Sequence, residues 1–152
     1  MKIKIEYLEN YSKEWPRMAY AHAGDSCLDM RAAIAKPIIL KAHQRQIVPT
    51  GIKCELIKED NDWVEIQVRA RSGLAAKNGI SMVNGIGTID FSYRGEIGAI
   101  MINTSDEDLT INPGDRIAQM AICPIYKPEI IEASVSDNTN RSIGGFGSSG
   151  KK

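Results

Sequence analysis

Apolar and polar residues alternate along most of this chain with a period of two, the spacing that turns every second side chain to one face of a β-strand. Near the N-terminus Ile3, Ile5 and Tyr7 alternate with Lys2, Lys4 and Glu6. Ile52, Cys54 and Leu56 alternate with Lys53 and Glu55. From Trp63 to Arg69, Val64, Ile66 and Val68 take one face and Glu65, Gln67 and Arg69 the other. Further strands are predicted at Lys36 to Leu40, Gln46 to Val48, Ile97 to Ile102, Asp108 to Ile111 and Ile117 to Ile122. Turn formers part them at Pro49-Thr50-Gly51, Asp60-Asn61-Asp62, Asn84-Gly85 and Asn112-Pro113-Gly114. Short strands at regular spacing predict an all-β sandwich or barrel. Only Leu74 to Asn78 reads as helix, one or two turns that stop at Gly79.

From Ser134 onward the apolar pattern fails, and residues 142–150 read SIGGFGSSG. That is the composition of a flexible arm, so the expected division is a β domain over 1–133 and an arm over 134–152. Gly145 to Gly150 matches G-x-G-x-x-G, and Gly145 to Lys151 matches G-x-x-x-x-G-K. Both phosphate loops need a strand before them and a helix after them. Here only two residues follow Gly150, and Lys152 stands where a P-loop needs Ser or Thr. Neither motif survives.

Composition narrows the function classes. The chain has 152 residues, 43% apolar and 25% charged, the proportions of one ordinary domain that needs no disulfide or structural metal. Nineteen Lys and Arg balance nineteen Asp and Glu, which excludes a generic basic grip on nucleic acid or an anionic membrane. An anionic small molecule held by a few local arginines stays open. The longest clean apolar run, Ile97 to Ile102, is far short of the roughly 18 residues of a membrane span. The opening MKIKIEYLEN lacks the apolar core of a signal peptide. Cys27, Cys54 and Cys123 show no C-x-x-C spacing, and His22 and His43 stand apart, so no disulfide framework or zinc signature exists. A reduced cytoplasmic protein is expected, and any metal is expected to be a hard cation arriving with its ligand.

Five segments carry candidate chemistry, and each alone has an ordinary reading. Ala23 to Ala32, AGDSCLDMRA, reads as a turn entering a strand. Arg71-Ser72-Gly73 opens the short helix, either as an oxyanion or phosphate site or merely as a Ser N-cap. Asn84-Gly85 is the strongest hairpin signal in the chain, in isolation an ordinary type I′ turn. Asp90 follows it, then Tyr93 and Arg94, which together would make a compact polar site. Pro113 to Gln119, PGDRIAQ, is a turn entering a strand, and Arg141 with Phe146 gives the arm one cation and one aromatic ring. Such an arm is either a linker or a flap that stacks on a base and pairs with a phosphate.

Taken together, in this order and at these separations, the five segments resemble the five motifs of the trimeric dUTPases. AGDSCLDMRA resembles the first motif, ARSGLA at 70–75 the second and NGIGTIDFSYRGE at 84–96 the third; PGDRIAQ and RSIGGFGSSG at 141–150 resemble the fourth and fifth. The likeness covers nearly the whole chain. It implies a jelly-roll-like β fold with one short helix and a flexible C-terminal arm. It also implies a homotrimer with three active sites, each built from three subunits, and Mg²⁺-dependent hydrolysis of dUTP to dUMP and pyrophosphate, limiting dUTP and supplying dUMP for thymidylate synthesis. By position, Asp90 becomes the general base that activates water for attack on the α-phosphorus. Asn84, Gly85, Thr88 and Ile89 lie along the hairpin offered to the uracil edge, and Tyr93 lies against the deoxyribose. Arg71, Ser72 and Gly73 of a neighbouring subunit hold phosphate, with Gln119 near the α-phosphate. Arg141 and Phe146 of a third close over the γ-phosphate and the base. Asp29 supports, through water, the metal held mainly by the triphosphate.

These roles suit the chemistry. Uracil presents an acceptor–donor–acceptor edge that strand backbone can match, and cytosine inverts part of it, leaving buried groups unpaired. Phosphoryl transfer asks chiefly for positioning and charge neutralisation, which arginines, a metal and one carboxylate supply. The chain departs from the family pattern at Cys27, Met30, Ile143, Ser149 and the Phe91-Ser92 pair, none of which removes a catalytic group. Two other readings compete: a dCTP deaminase-like enzyme of the same fold, and a trimeric module that binds nucleotide without turnover.

Overall fold

The computed structural model describes residues 1–57 and 63–140. Eleven strands and one helix are present among them, in the order β1 (Lys2–Tyr7), β2 (Leu28–Arg31), β3 (Ile38–Leu40), β4 (Arg45–Pro49), β5 (Ile52–Ile57), β6 (Trp63–Ala70), α1 (Ser72–Asn78), β7 (Ile80–Met82), β8 (Ile86–Ile89), β9 (Gly98–Asn103), β10 (Leu109–Ile111) and β11 (Arg116–Ile125). The all-β fold and the single short helix agree with the sequence. Every pairing is antiparallel. The strands form four small sheets, ordered β2-β11-β6-β8, β4-β9-β7, β1-β5 and β3-β10.

Their alternating faces close on one core. Val64, Ile66 and Val68 are buried, as are Ile52, Cys54 and Leu56, whereas the intervening polar residues are only half-buried. Val48, Ala99, Met101, Ile117 and Met120 complete the interior. Each large apolar side chain fully buried there contributes about 1.5–3 kcal/mol relative to exposure. Burial also pushes the Cys54 thiol up to about 11, leaving it protonated at neutral pH. The polar exceptions are satisfied. Asn103 is fully buried, and its amide donates to Leu40 O at 3.0 Å and Glu107 O at 2.7 Å. Thr50 donates to the carbonyl of Ile97.

The helix stops where expected. Gly79 takes the left-handed conformation (φ +66°), and its N–H reaches back to Ala75 O. The N-terminal expectation was wrong in one respect: Arg71, in extended conformation, is the N-cap residue, and no side chain caps the helix. Ser72 is therefore the first helical residue and its hydroxyl has no hydrogen bond among the described residues.

The predicted hairpin also needs correction. The turn is closed by Gly85 N–H on Met82 O at 3.1 Å, so Val83 and Asn84 are its central residues. A type I′ turn needs positive φ at both central positions, but here only Gly85, at +70°, has one. The flanking strands do not pair with each other. β7 joins β9 and β8 joins β6, so the turn crosses from one sheet to another. Beyond Ile125, residues 126–140 carry no helix or strand, and Tyr126, Ile130, Ile131 and Val135 are exposed. No helix among the described residues is long and apolar enough to cross a membrane.

Candidate active site

Asp90 follows directly on β8, at the base of a cleft of about 390 Å³. Ile47, Pro49, Thr88, Ile89 and Tyr93 are among the residues lining it. The Asp90 carboxylate is exposed, and no side chain among the described residues pairs with it. Its backbone is fixed instead: Asp90 O accepts Tyr93 N–H at 3.0 Å, forming a tight turn. Arg94 Nη1 staples that turn by donating to Phe91 O at 2.7 Å and Tyr93 O at 2.9 Å. The Tyr93 hydroxyl donates to Glu96 O at 3.0 Å, which lays its ring across Gly95; a Cβ there would sit 2.6 Å from Tyr93 Cζ. Glu96 anchors the far side, accepting from Gly51 N–H at 2.8 Å and Asn10 Nδ2 at 3.0 Å. These bonds fix the backbone on both sides of the Asp90 carboxylate.

The 84–89 segment leads through a turn into β8, whose Thr88 and Ile89 line the cleft. Asn84 and Gly85 are exposed at the turn, and Thr88 is exposed on β8 beside half-buried Ile89. Gly87 is buried on Val68, where an added Cβ would meet Val68 Cβ at 3.3 Å. Glycine here lets β8 lie close on β6.

A second cluster gathers at the other end of β6. The register sets Gln119 of β11 opposite Asp29 of β2 and Arg69 of β6. Asp29 is shared by two arginines: Oδ1 lies 3.0 Å from Arg71 Nε and Oδ2 accepts Arg116 Nη1 at 2.9 Å. Arg71 Nη1 also donates to Arg116 O at 3.0 Å, and Gln119 Nε2 to Ala70 O at 2.9 Å. A cavity of about 320 Å³ lined by Asp25, Ser26, Cys27, Asp29 and Gln119 opens beside them. The first, second and fourth motif segments thus converge within one subunit. Among the described residues, no group of three His, Cys, Asp or Glu side chains is placed to hold a metal ion.

The two clusters are far apart in one chain. Ile89, next to Asp90, faces Ile66, whereas Arg71 follows Ala70 at the opposite end of β6. Five residues at about 3.3 Å each separate them by roughly 16 Å along the strand.

A protein-family model described as dUTPase matches residues 13–150. The chain belongs to the dUTPase family. It is 46% identical over 133 residues to the deoxyuridine 5'-triphosphate nucleotidohydrolase of a Hydrogenobaculum species, covering 88% of this chain and 89% of that one. It is 45% identical to the enzyme of the same name from Rickettsia felis, over 98% of this chain and 97% of its relative. Among solved structures, a mutant of the Staphylococcus phage 80alpha dUTPase superposes with a TM-score of 0.80 at 21% identity, covering 97% of this chain and 98% of that one. That likeness supports the jelly-roll-like fold.

Within this dUTPase frame the structure places most of the residues singled out from sequence. Asp90, Tyr93, Thr88 and Ile89 share the cleft, whereas Asn84 and Gly85 are exposed at the turn before β8 and are not among the residues lining it. Asp29, Arg71 and Gln119 share the second cluster, with Ser72 and Gly73 adjoining on α1. Arg141 and Phe146 lie outside the described residues. Sequence reasoning missed Arg116, the second partner of Asp29, because nothing in a pattern of alternation marks a side chain whose partner lies 87 residues away. Arg94, expected as part of a compact polar site with Asp90 and Tyr93, instead staples the backbone of their turn.

Proposed function

We propose that this chain hydrolyses dUTP to dUMP and pyrophosphate, with Asp90 as general base. The observation that carries the reading is the exposed Asp90 carboxylate, unpartnered among the described residues and held on a doubly anchored turn. Asp90 takes a proton from water as its oxygen attacks the α-phosphorus; the bond to the bridging oxygen breaks and pyrophosphate leaves. The same carboxylate holds the deoxyribose 3′-hydroxyl, and the Tyr93 ring crowds C2′ so that ribose is refused. Backbone groups from Asn84 to Ile89, with the Asn84 amide, read the uracil edge. Mg²⁺ comes as part of the substrate, MgdUTP, and neutralises phosphate charge. Asp29 is the carboxylate we assign to its water shell.

Because Asp90 and Arg71 stand roughly 16 Å apart along β6, one subunit cannot place both on one α-phosphate. We infer a homotrimer in which Arg71, Ser72, Gly73 and Gln119 of a neighbour meet Asp90 of the first subunit, while Arg141 and Phe146 of a third close the site. The exposed apolar side chains of residues 126–135 give such an assembly surface to bury. Of the relatives, one solved structure of the phage 80alpha dUTPase holds the analogue dUPNHPP. Another, from phage phi11, is described as coordinating a structural Mg(II) ion. The expected place of work is the cytoplasm, where dUMP feeds thymidylate synthesis.

The test is to incubate the protein with Mg²⁺ and dUTP, dCTP or dTTP and to assay pyrophosphate and ammonia. Pyrophosphate from dUTP alone is the expected result. Ammonia from dCTP would replace the reading by a deaminase, and tight dUTP binding without products by a non-catalytic module. Sedimentation as a stable monomer would remove the shared site.

A further inference from the structure

Phe91 sits between the proposed general base and Tyr93. Its half-buried ring meets Trp63 edge-on, with centroids 5.9 Å apart and planes at 81°. Trp63 is the first residue of β6 and pairs with Ile125, the last residue of β11. Two residues later, Lys127 brings Nζ to 3.7 Å from the Trp63 ring centroid. Three elements therefore converge on one indole: the turn after β8, the start of β6 and the chain leaving β11. The pairing explains why. β8 ends opposite Ile66, so the residues after it run alongside the beginning of β6, where Trp63 stands.

The Asp90 carboxylate has no side-chain partner among the described residues, so its place depends on the backbone of its turn. Arg94 restrains that turn through two carbonyls. Phe91 is the side chain that packs the same turn onto the scaffold, being one of the apolar residues set against the core. A T-shaped contact between two rings fixes direction as well as distance. Resting on the assignment of Asp90 as general base, we infer that Phe91, seated on Trp63 and backed by Lys127, is a positioning residue that aims the Asp90 carboxylate. It acts on the chemical step and not on nucleotide binding. Misplacing a catalytic group by about 1 Å costs on the order of 100-fold in rate.

The test uses the full chain and separates turnover from binding. Phe91→Ala is expected to lower kcat by about 10- to 100-fold while the Kd of non-hydrolysable α,β-imido-dUTP moves less than about threefold. Phe91→Tyr, which keeps the ring, is expected to restore kcat to within about twofold of the parent. Trp63 emission should shift in Phe91→Ala and return in Phe91→Tyr. If the alanine variant does not fold, Phe91→Leu, which keeps bulk but not the ring edge, is measured by the same criteria. A kcat within about twofold of the parent in the Ala or Leu variant, with Asp90→Asn inactive, overturns the positioning role alone. Loss of kcat and binding together, unrepaired by Tyr, also overturns it, since that marks a purely structural residue. Full turnover by Asp90→Asn instead overturns the general-base assignment, and the positioning role with it.

Discussion

The two clusters flanking β6 are prepared in opposite ways. At one end, Asp90 stands exposed and has no side-chain partner among the described residues, and the surrounding bonds are spent on its backbone turn. At the other end, Asp29 is already paired with Arg71 and Arg116, and Gln119 Nε2 donates to Ala70 O. The first arrangement suits a base that must meet a water without first breaking a contact. The second suits a phosphate grip, because an arginine held by a carboxylate stays ordered and exchanges one anion for another. On the proposed function, readiness to react and readiness to bind are built from the same residue types by opposite pairing.

The sharpest way to break this contrast is Asp90→Asn. It is expected to bind α,β-imido-dUTP normally and lose on the order of 10³ in kcat, within the range for removing a general base. A variant retaining near-parent turnover in a pyrophosphate assay would take the open cluster out of the chemistry. Next comes Arg71→Gln, which removes charge-assisted bonds worth about 1.5–3 kcal/mol. Its signature should be a 10- to 100-fold fall in kcat/KM, with the apparent KM for MgdUTP carrying much of it. An unchanged KM would mean that Arg71 serves only Asp29.

Gly85→Ala should cost less. There is open space around its Cβ position, so the cost is the left-handed φ, about 1 kcal/mol read as a lower Tm. A drop of several kcal/mol would mean that the turn carries scaffold load. The smallest effect expected is the coupling between Asp29 and Arg116 in a double-mutant cycle. Their side chains are 31% and 49% exposed, so solvent screening should hold it below about 1 kcal/mol. A larger coupling would show the closed cluster to be a stability element first.

How far the sequence revealed all this depends on the range of each interaction. Strand positions were legible because alternation is local: Val64, Ile66 and Val68 announce a buried face without knowledge of their neighbours. The stop at Gly79 was legible for the same reason. Asn84-Gly85 misled because the dipeptide specifies a turn but not the partners of the strands beside it, and those partners lie in different sheets. The helix start misled because Ser72 is a good cap by type, whereas Arg71 is held extended by Asp29 and the Arg116 carbonyl. The Asp29–Arg116 pair and the Phe91–Trp63 contact join residues distant in sequence. No periodicity records them. The five motif segments are legible as a pattern of residue types, without their geometry.

The turn after β7 has one more consequence. One of its ends is tied to β9 through Met82 and Met101, and the other to β6 through Gly87 and Val68. Its opening is therefore a calliper, set by how far apart the core holds two sheets. On the proposed function, tolerance for a base is inherited from interior packing: trimming Met82 or Val68 would loosen the gauge before it unfolded the chain. Selection for accurate discrimination would then act on buried methyl groups that never touch the nucleotide.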